Sequence, residues 1–218
     1  MFPTVEVRWF YEGPIPPEVL AWFQRGGQGP EEPSCRVDYY LRLADWDSLG
    51  IKLREGRLEV KQRCRQYGMV RLHERVAGRV EHWRKWSFAL DRADGGLASL
   101  AVPASAWIEV RKERRLRTYR LGGDDADIDP DRLRSAASEV VAVRAGSLPD
   151  RGCDWELTAV RAGDEAWWSV CFEAFGGGPA LRETLLVVAR HVLDDGAPCG
   201  FDAGHSFGYP GWLGVVCL

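Results

Sequence analysis

The stretch GIKLREGRLEVKQR, residues Gly50–Arg63, alternates apolar and charged side chains on both sides of its central Glu55–Gly56 pair. Such a period of two is typical of β-strands that bury one face. The stretch therefore predicts two short strands joined by a turn at Glu55–Gly56. One face of this hairpin would carry four positive charges side by side, from Lys52, Arg54, Lys61 and Arg63. That face meets either water or a ligand that needs several cations.

Composition limits the class of protein. The chain has 218 residues, 45% of them hydrophobic and 28% charged, which suits a single domain spanning residues 1–218. Its formal net charge of −3 gives no general attraction for nucleic acid, so an anion site has to come from local clustering. The start of the chain has no secretion-signal pattern, and no apolar run reaches membrane-spanning length. We therefore expect a cytoplasmic protein without nucleic-acid or membrane partners, and its oligomeric state stays open.

Strand patterns occupy most of the chain. Helices are predicted in PPEVLAWFQRG, residues 16–26, and in PALRETLLVVARHVLDDG, residues 179–196. YGMVRLHERV, residues 67–76, is predicted as a separate strand, the tail at residues 199–213 as irregular, and the acidic segment at 122–135 as a solvated loop. Because roughly eight strands occur without a β-then-helix rhythm, the prediction is an α+β domain. Its sheet is expected to form a closed or nearly closed eight-stranded antiparallel β-barrel with flanking helices.

The polar faces of several strands carry single carboxylates or long cations where Ser and Thr would be usual, at Glu6, Arg8, Glu156 and Glu173. The strand IEVRKERR allows two inward sets, either Glu109 with Arg111 or Lys112 with Arg114. If the apolar faces point outward under the helices, these charges line the interior, where they need partners or a ligand. Bases bind phosphate oxygens and carboxylates bind hard divalent cations, so the interior predicts a polyphosphate site with its metal ion. The alternative is that the charged faces meet only solvent.

A series of short motifs follows one order along almost the whole chain. VEVRW looks like an E-x-E-x-K strand, VDYYL like a D-x-Y-hydrophobic strand, and IKLR with LEVKQR like paired basic strands. IEVRKERRLRTYRL is similar to a K-x-R strand, CDWELTAV and CFEAFG to late acidic strands, and HSFGYPGWL to an S-Y-x-x-L-L ending. In these motifs the chain resembles a divergent member of the CYTH superfamily, the triphosphate tunnel metalloenzymes. Members of that superfamily include inorganic triphosphatases, thiamine triphosphatase and class IV adenylate cyclases.

This resemblance implies an eight-stranded tunnel that holds a triphosphate on basic side chains and one or two Mg²⁺ or Mn²⁺ ions on carboxylates. Carried over by position, the metal ligands would be Glu6, Glu156 and Glu173. Glu6 and Glu173 would also be catalytic. The phosphate-binding set would be Arg8, Lys52, Arg54, Lys61, Arg63, Lys112 and Arg114.

The leading hypothesis is a metal-dependent phosphohydrolase that acts on inorganic or organic triphosphates inside a β-tunnel. One position departs from the pattern, because Thr4 stands where the superfamily has a first Glu, and a hydroxyl is a much weaker partner for Mg²⁺. The alternative is a non-catalytic protein on the same fold that binds a phosphate or nucleotide ligand and has lost part of the metal site. Inorganic triphosphate, a nucleotide and thiamine triphosphate are all compatible ligands, and cyclase chemistry stays open.

Overall fold

The computed structural model describes residues 2–26, 32–43, 45–90, 103–122, 140–144 and 149–216. Within these ranges lie nine strands: β1 (Phe2–Glu12), β2 (Ser34–Leu41), β3 (Leu49–Arg54), β4 (Arg57–His73), β5 (Val76–Ala89), β6 (Trp107–Leu121), β7 (Val140–Ala142), β8 (Gly152–Ala162) and β9 (Glu165–Phe175). The α-helices in the same ranges are α1 (Pro17–Arg25), α2 (Leu181–Asp194) and α3 (Tyr209–Val216). Short 3₁₀ turns lie at Ala104–Ala106 and Ala203–His205.

Eight of the strands close into an antiparallel barrel. Their order is β2–β3–β4–β5–β1–β9–β8–β6, and β6 pairs back with β2 to complete the ring. The extra strand β7 pairs with the end of β6. The predicted α+β fold with an eight-stranded antiparallel β-barrel is thus confirmed.

The hairpin predicted from Gly50–Arg63 is the β3–β4 pair. Its two-residue turn places Glu55 and Gly56 at positive φ angles of 50° and 72°. These angles match a type I′ turn, which continues the natural twist of the strands and favours Gly at its second position. The turn aligns Lys52 with Glu59 and Gly50 with Lys61 across the two strands.

The main hydrophobic core lies outside the barrel, between the sheet and the helices. Val5, Val7 and Trp9 on the outward face of β1 pack in one cluster with residues of α1 and α2. The two helices were predicted from their apolar periodicity, and each buries that stripe: Val19, Trp22 and Phe23 on α1, and Leu185, Val188 and Val192 on α2. Since the apolar side of β1 faces outward, its alternate residues Glu6 and Arg8 point into the barrel.

A smaller apolar cluster lies inside the barrel at one end. We call it the apolar plug; it consists of Phe10, Tyr40, Val110, Val160, Trp167, Trp212 and Leu213. Trp212 and Leu213 come from α3, so the C-terminal helix packs against residues of the barrel interior. The charged part of the interior begins where this plug ends, because Phe10 is followed inward along β1 by Arg8 and Glu6.

Two sequence predictions differ from the structure. Residues 67–73, predicted to begin a separate strand, continue β4 through a bulge next to Gly68, whose φ is +83°. The tail at residues 199–213, predicted as irregular, includes the first part of α3 (Tyr209–Val216). Its one Pro and two Gly residues disfavour a helix locally, and burial of Trp212 and Leu213 offsets this. Residues 123–135 of the acidic segment lie outside the described part of the chain.

Among the described residues, every helix is too short or too polar to span a lipid bilayer.

Candidate functional site

A cavity of about 440 Å³ lies inside the barrel, a volume in the range of small-molecule sites. All eight barrel strands contribute to its wall, together with the first turn of α3. Its charged lining consists of the basic residues Arg8, Arg36, Lys52, Arg54, Lys61, Lys85, Lys112 and Arg114 and the acidic residues Glu55, Glu59, Glu156 and Glu173.

Most of the residues predicted from sequence as site residues meet at this cavity. Eight of the ten line it, namely Arg8, Lys52, Arg54, Lys61, Lys112, Arg114, Glu156 and Glu173. Glu6 is buried next to the cavity without lining it, and it accepts a hydrogen bond from Lys61. Arg63 also does not line the cavity, because Glu81 and Asp47 hold its guanidinium at 2.8 Å each.

The structure decides which residues of β6 face inward. Lys112 is buried and Arg114 lines the cavity, so these two bases form the inward set. Glu109 and Arg111 form an ion pair of 2.8 Å on the outer surface, where the side chain of Arg111 is 68% exposed. The β2–β6 pairing that closes the barrel sets this orientation.

Asp38 on β2 organises a cluster that was not predicted as part of the site. Its side chain is fully buried and accepts hydrogen bonds from Lys52 at 3.0 Å and Lys112 at 2.8 Å. Lys112 also donates to the hydroxyl oxygen of Tyr40 at 2.7 Å. The signal for these residues was present in the sequence, since Asp38 and Tyr40 are the polar positions of the D-x-Y motif.

Burial dominates the electrostatics of the two lysines in this cluster. It lowers the pKa of Lys112 well below the ordinary lysine value, and Lys52 beside it adds to the effect while Asp38 opposes it. Burial also lowers the pKa of Lys52, to about 8. For Asp38, burial acts to raise the pKa, but the charges of Lys112 and Lys52 outweigh it and hold the pKa well below the ordinary value. The carboxylate is thus charged, and at least one amine close to it gives up its proton more readily than a free lysine.

Glu59 on β4 organises a second, smaller cluster of bases. Its carboxylate contacts Arg54 at 2.6 Å, Lys52 at 3.2 Å and Lys85 at 3.5 Å. Burial acts to raise the pKa of Glu59, but the charges of these bases outweigh it and lower the pKa. Lys85 and Glu59 were not among the predicted site residues, although Glu59 interrupts the cationic face of the hairpin.

Glu156 on β8 is clamped between two arginines. Arg8 donates to one carboxylate oxygen at 2.7 Å and Arg114 to the other at 2.5 Å. The hydroxyl of Thr158 adds a third hydrogen bond at 3.0 Å. Burial acts to raise the pKa of Glu156, but Arg8 and Arg114 outweigh it and hold the pKa well below the ordinary value. The carboxylate is therefore ionised and already paired.

Lys61 on β4 bridges the other two predicted metal ligands. Its ammonium lies 2.5 Å from Glu6 and 3.2 Å from Glu173, which face each other across β1 and β9. Burial acts to lower the pKa of Lys61, but Glu173 and Glu6 outweigh it and raise the pKa. Burial likewise acts to raise the pKa of Glu173, but the charge of Lys61 outweighs it and lowers the pKa. Lys61 and Glu173 thus favour each other's charged forms.

Four carboxylates lie at the same level of the barrel on adjacent strands. In register across β8, β9, β1 and β5 they are Asp154, Glu173, Glu6 and Glu81. Residues directly opposite in an antiparallel sheet share a face, so this inner acidic row points into the barrel. Sequence reasoning found only two of its members, because the pairing register that aligns the row is a tertiary property.

The predicted metal ligands do not form an open donor set. Glu156 is occupied by two arginines, and Lys61 occupies the position between Glu6 and Glu173. Throughout the described ranges, no group of three or more His, Cys, Asp or Glu side chains is arranged to hold a metal ion. A divalent cation needs several free oxygen ligands at about 2.0–2.6 Å. The residues present therefore do not fit Mg²⁺ or Mn²⁺ at this position.

Asp154 gives a pH-dependent prediction. Burial raises its pKa from 3.8 to about 6, and a hydrogen bond from Thr118 only partly opposes this. Between these two pH values the unfolded chain loses the proton before the folded one, so ionisation of Asp154 reduces stability as the pH rises. We expect Asp154→Asn to stabilise the protein by about 1–3 kcal/mol at pH 7.5 and to have little effect at pH 3.5, as measured by urea unfolding.

Asp164→Asn, in the exposed β8–β9 turn, is the matched control and should change stability at neither pH. A gain for Asp154→Asn of the same size at pH 3.5 and 7.5 would contradict the assigned titration.

Comparisons with known proteins identify no family for this chain. No family model matches the chain, and no curated protein matches it. Among solved structures, a conserved hypothetical protein from Pyrococcus furiosus is similar over 95% of this chain and 98% of its own, at 11% identity and a TM-score of 0.44. A likeness at this level supports no conclusion about fold or function.

Proposed function

We propose that the protein binds a small molecule carrying a triphosphate, with its phosphate chain in the cavity of the barrel, as a divergent relative of the triphosphate tunnel metalloenzymes. The supporting observation is an imbalance of charge. The cavity wall contains Glu55, and its eight basic side chains share five further carboxylates, which leaves a formal excess of two positive charges. Those carboxylates are Glu6, Asp38, Glu59, Glu156 and Glu173.

Such an excess of charge in a partly enclosed cavity favours a polyanion. Water screens charges poorly there, so each unneutralised base raises the local attraction for an anion. Arginine presents a planar fork to phosphate oxygens, and lysine supplies a compact point charge. The cavity contains both kinds, with Lys52 and Arg54 on the β3 wall and Arg8 on the β1 wall, three steps away in the ring of strands. A linear phosphate chain can contact these walls at the same time.

The test is calorimetric titration with sodium tripolyphosphate in the presence of EDTA. Arg54 is the best residue to remove, because its partner Glu59 keeps two other bases, Lys52 and Lys85, and is not left unpaired. We expect Arg54→Ala to weaken tripolyphosphate binding at least tenfold, since a hydrogen bond to a charged group contributes about 1.5–3 kcal/mol. Binding should also weaken as the salt concentration rises.

Arg111→Ala is the matched control. It removes an arginine from the outer face of β6, where the side chain is 68% exposed, and should leave the affinity unchanged. Equal losses in Arg54→Ala and Arg111→Ala would show that the attraction is not located in the cavity. A folded wild-type protein that does not bind tripolyphosphate, ATP or thiamine triphosphate would end the proposal.

Hydrolysis of the bound triphosphate is a second candidate, favoured by the amine of Lys112. Its pKa is lowered by burial, it is hydrogen-bonded to Tyr40, and it lines the cavity. A neutral amine in that position can accept the proton of a water molecule that attacks phosphorus, while the arginines stabilise the negative charge that develops. Lys112→Arg places a permanent positive charge at the same position and cannot act as a base at neutral pH.

Phosphate release separates the two candidates. It should be measured with EDTA, with Mg²⁺ and with Mn²⁺ on the samples used for binding. Turnover that is lost in Lys112→Arg while tripolyphosphate still binds supports hydrolysis. Binding without release under all three conditions identifies a binding protein.

A further inference from the structure

The position of Lys61 is unusual for a phosphate-binding lysine. Its ammonium points at two carboxylates, Glu6 at 2.5 Å and Glu173 at 3.2 Å, and these face each other across β1 and β9. Glu6 is 3% exposed, so its charge is almost completely removed from water. A buried carboxylate needs a cation beside it, and Lys61 is the cation that the described part of the chain places there.

The arrangement matches what a divalent ion would do at the same place. A metal ion between Glu6 and Glu173 would neutralise the same two oxygens from nearly the same point. The third carboxylate of the predicted metal set, Glu156, is held by Arg8 and Arg114. Thr4, one inward position further along β1, supplies no carboxylate. All three predicted metal ligands thus face a positive side chain of the chain itself.

We propose that the ammonium of Lys61 replaces a divalent cation between Glu6 and Glu173, and that the protein takes up its phosphate ligand without a bound metal ion. The first part stands independently of the proposed function, and the second part rests on it. Because the cavity already has excess positive charge, a phosphate chain complexed with Mg²⁺ brings a further cation where none is needed. The free polyanion is therefore the preferred ligand.

Removing Lys61 should create a metal site. In Lys61→Ala the carboxylates of Glu6 and Glu173 lose their shared cation, and two carboxylates completed by water suffice for a weak divalent site. Calorimetric titration with Mn²⁺ alone should show no binding to the wild-type protein at millimolar concentration. Lys61→Ala should bind Mn²⁺ at least tenfold more tightly, and adding Glu173→Gln should abolish the gain.

Lys85→Ala is the matched control. It removes another lysine from the same cavity, but its partner Glu59 keeps Lys52 and Arg54, so no carboxylate pair is freed. It should gain no Mn²⁺ affinity. A folded Lys61→Ala variant that binds Mn²⁺ no better than Lys85→Ala would overturn the replacement. So would wild-type protein that binds Mn²⁺ tightly, a measurement that does not depend on how well any variant folds.

The second part of the proposal, uptake of the phosphate ligand without a metal ion, is tested by titrating wild-type protein with tripolyphosphate in EDTA and in excess Mg²⁺. We expect binding at least threefold tighter in EDTA, because Mg²⁺ lowers the negative charge of the free ligand. Tighter binding in Mg²⁺ would overturn the metal-free uptake. If tripolyphosphate does not bind under either condition, the proposed function fails, and the Mn²⁺ titrations still decide the role of Lys61.

Discussion

Glu156→Gln is expected to lower the free energy of unfolding by about 3–5 kcal/mol, because it leaves the buried Arg8 and the partly exposed Arg114 without their shared carboxylate. Glu156 is 5% exposed, and Arg8, which contacts it at 2.7 Å, is also 5% exposed. Water cannot replace the missing charge at that depth. Urea unfolding followed by circular dichroism at pH 7.5 measures the loss.

Two controls test whether the loss of stability comes from the ion pairs of Glu156. Glu109→Gln breaks an ion pair on the outer face of β6, where both partners are well exposed, and should leave stability unchanged. The double variant Arg8→Met with Glu156→Gln should lose less than the sum of the two single variants, because the two residues contact each other. A loss below about 1 kcal/mol for Glu156→Gln would show that the clamp is open to solvent.

Trp212→Ala is expected to cost about 3–5 kcal/mol, the range for removing a fully buried large aromatic side chain. Trp212 is 0% exposed in the apolar plug and stacks on Phe10 with ring centroids 5.1 Å apart. Its edge also meets Trp167 at 6.2 Å. The loss should appear in urea unfolding, together with increased binding of a hydrophobic dye as the end of the barrel opens.

Val215→Ala is the control on the same helix. Its side chain is 47% exposed, so its removal should leave both stability and dye binding nearly unchanged. A Trp212→Ala protein as stable as Val215→Ala would show that α3 does not stabilise the end of the barrel where the apolar plug lies.

The fold could be predicted from sequence because its signals are local. Alternation along β1 and the β3–β4 hairpin, and the helical periodicity of α1 and α2, each depend on a few neighbouring residues. The same parity placed Lys52, Arg54 and Lys61 on one face of the hairpin, which in the structure lines the cavity. The helix α3 could not be predicted, because its local sequence disfavours it and its stability comes from contacts with residues far away along the chain.

Most of the charged residues that line the cavity could be predicted, but their pairing could not. The sequence identified Glu6, Lys61 and Glu173 as inward charges and assigned the carboxylates to a metal and the lysine to phosphate. In the structure the three contact one another, although Lys61 is 55 residues from Glu6 and 112 from Glu173. The partner of a charge depends on strand register and on how the barrel closes, and neither is encoded within one strand.

By itself, the sequence determined which side chains share a face of each strand and predicted an antiparallel barrel, because the side-chain period of a strand is a local property. Only the tertiary structure decided that Lys112 and Arg114 point inward from β6, that Asp38 joins two lysines, and that Lys61 lies between two carboxylates. The physical reason is that electrostatic partners are chosen by distance in space. That distance exists only once eight strands have closed into one ring.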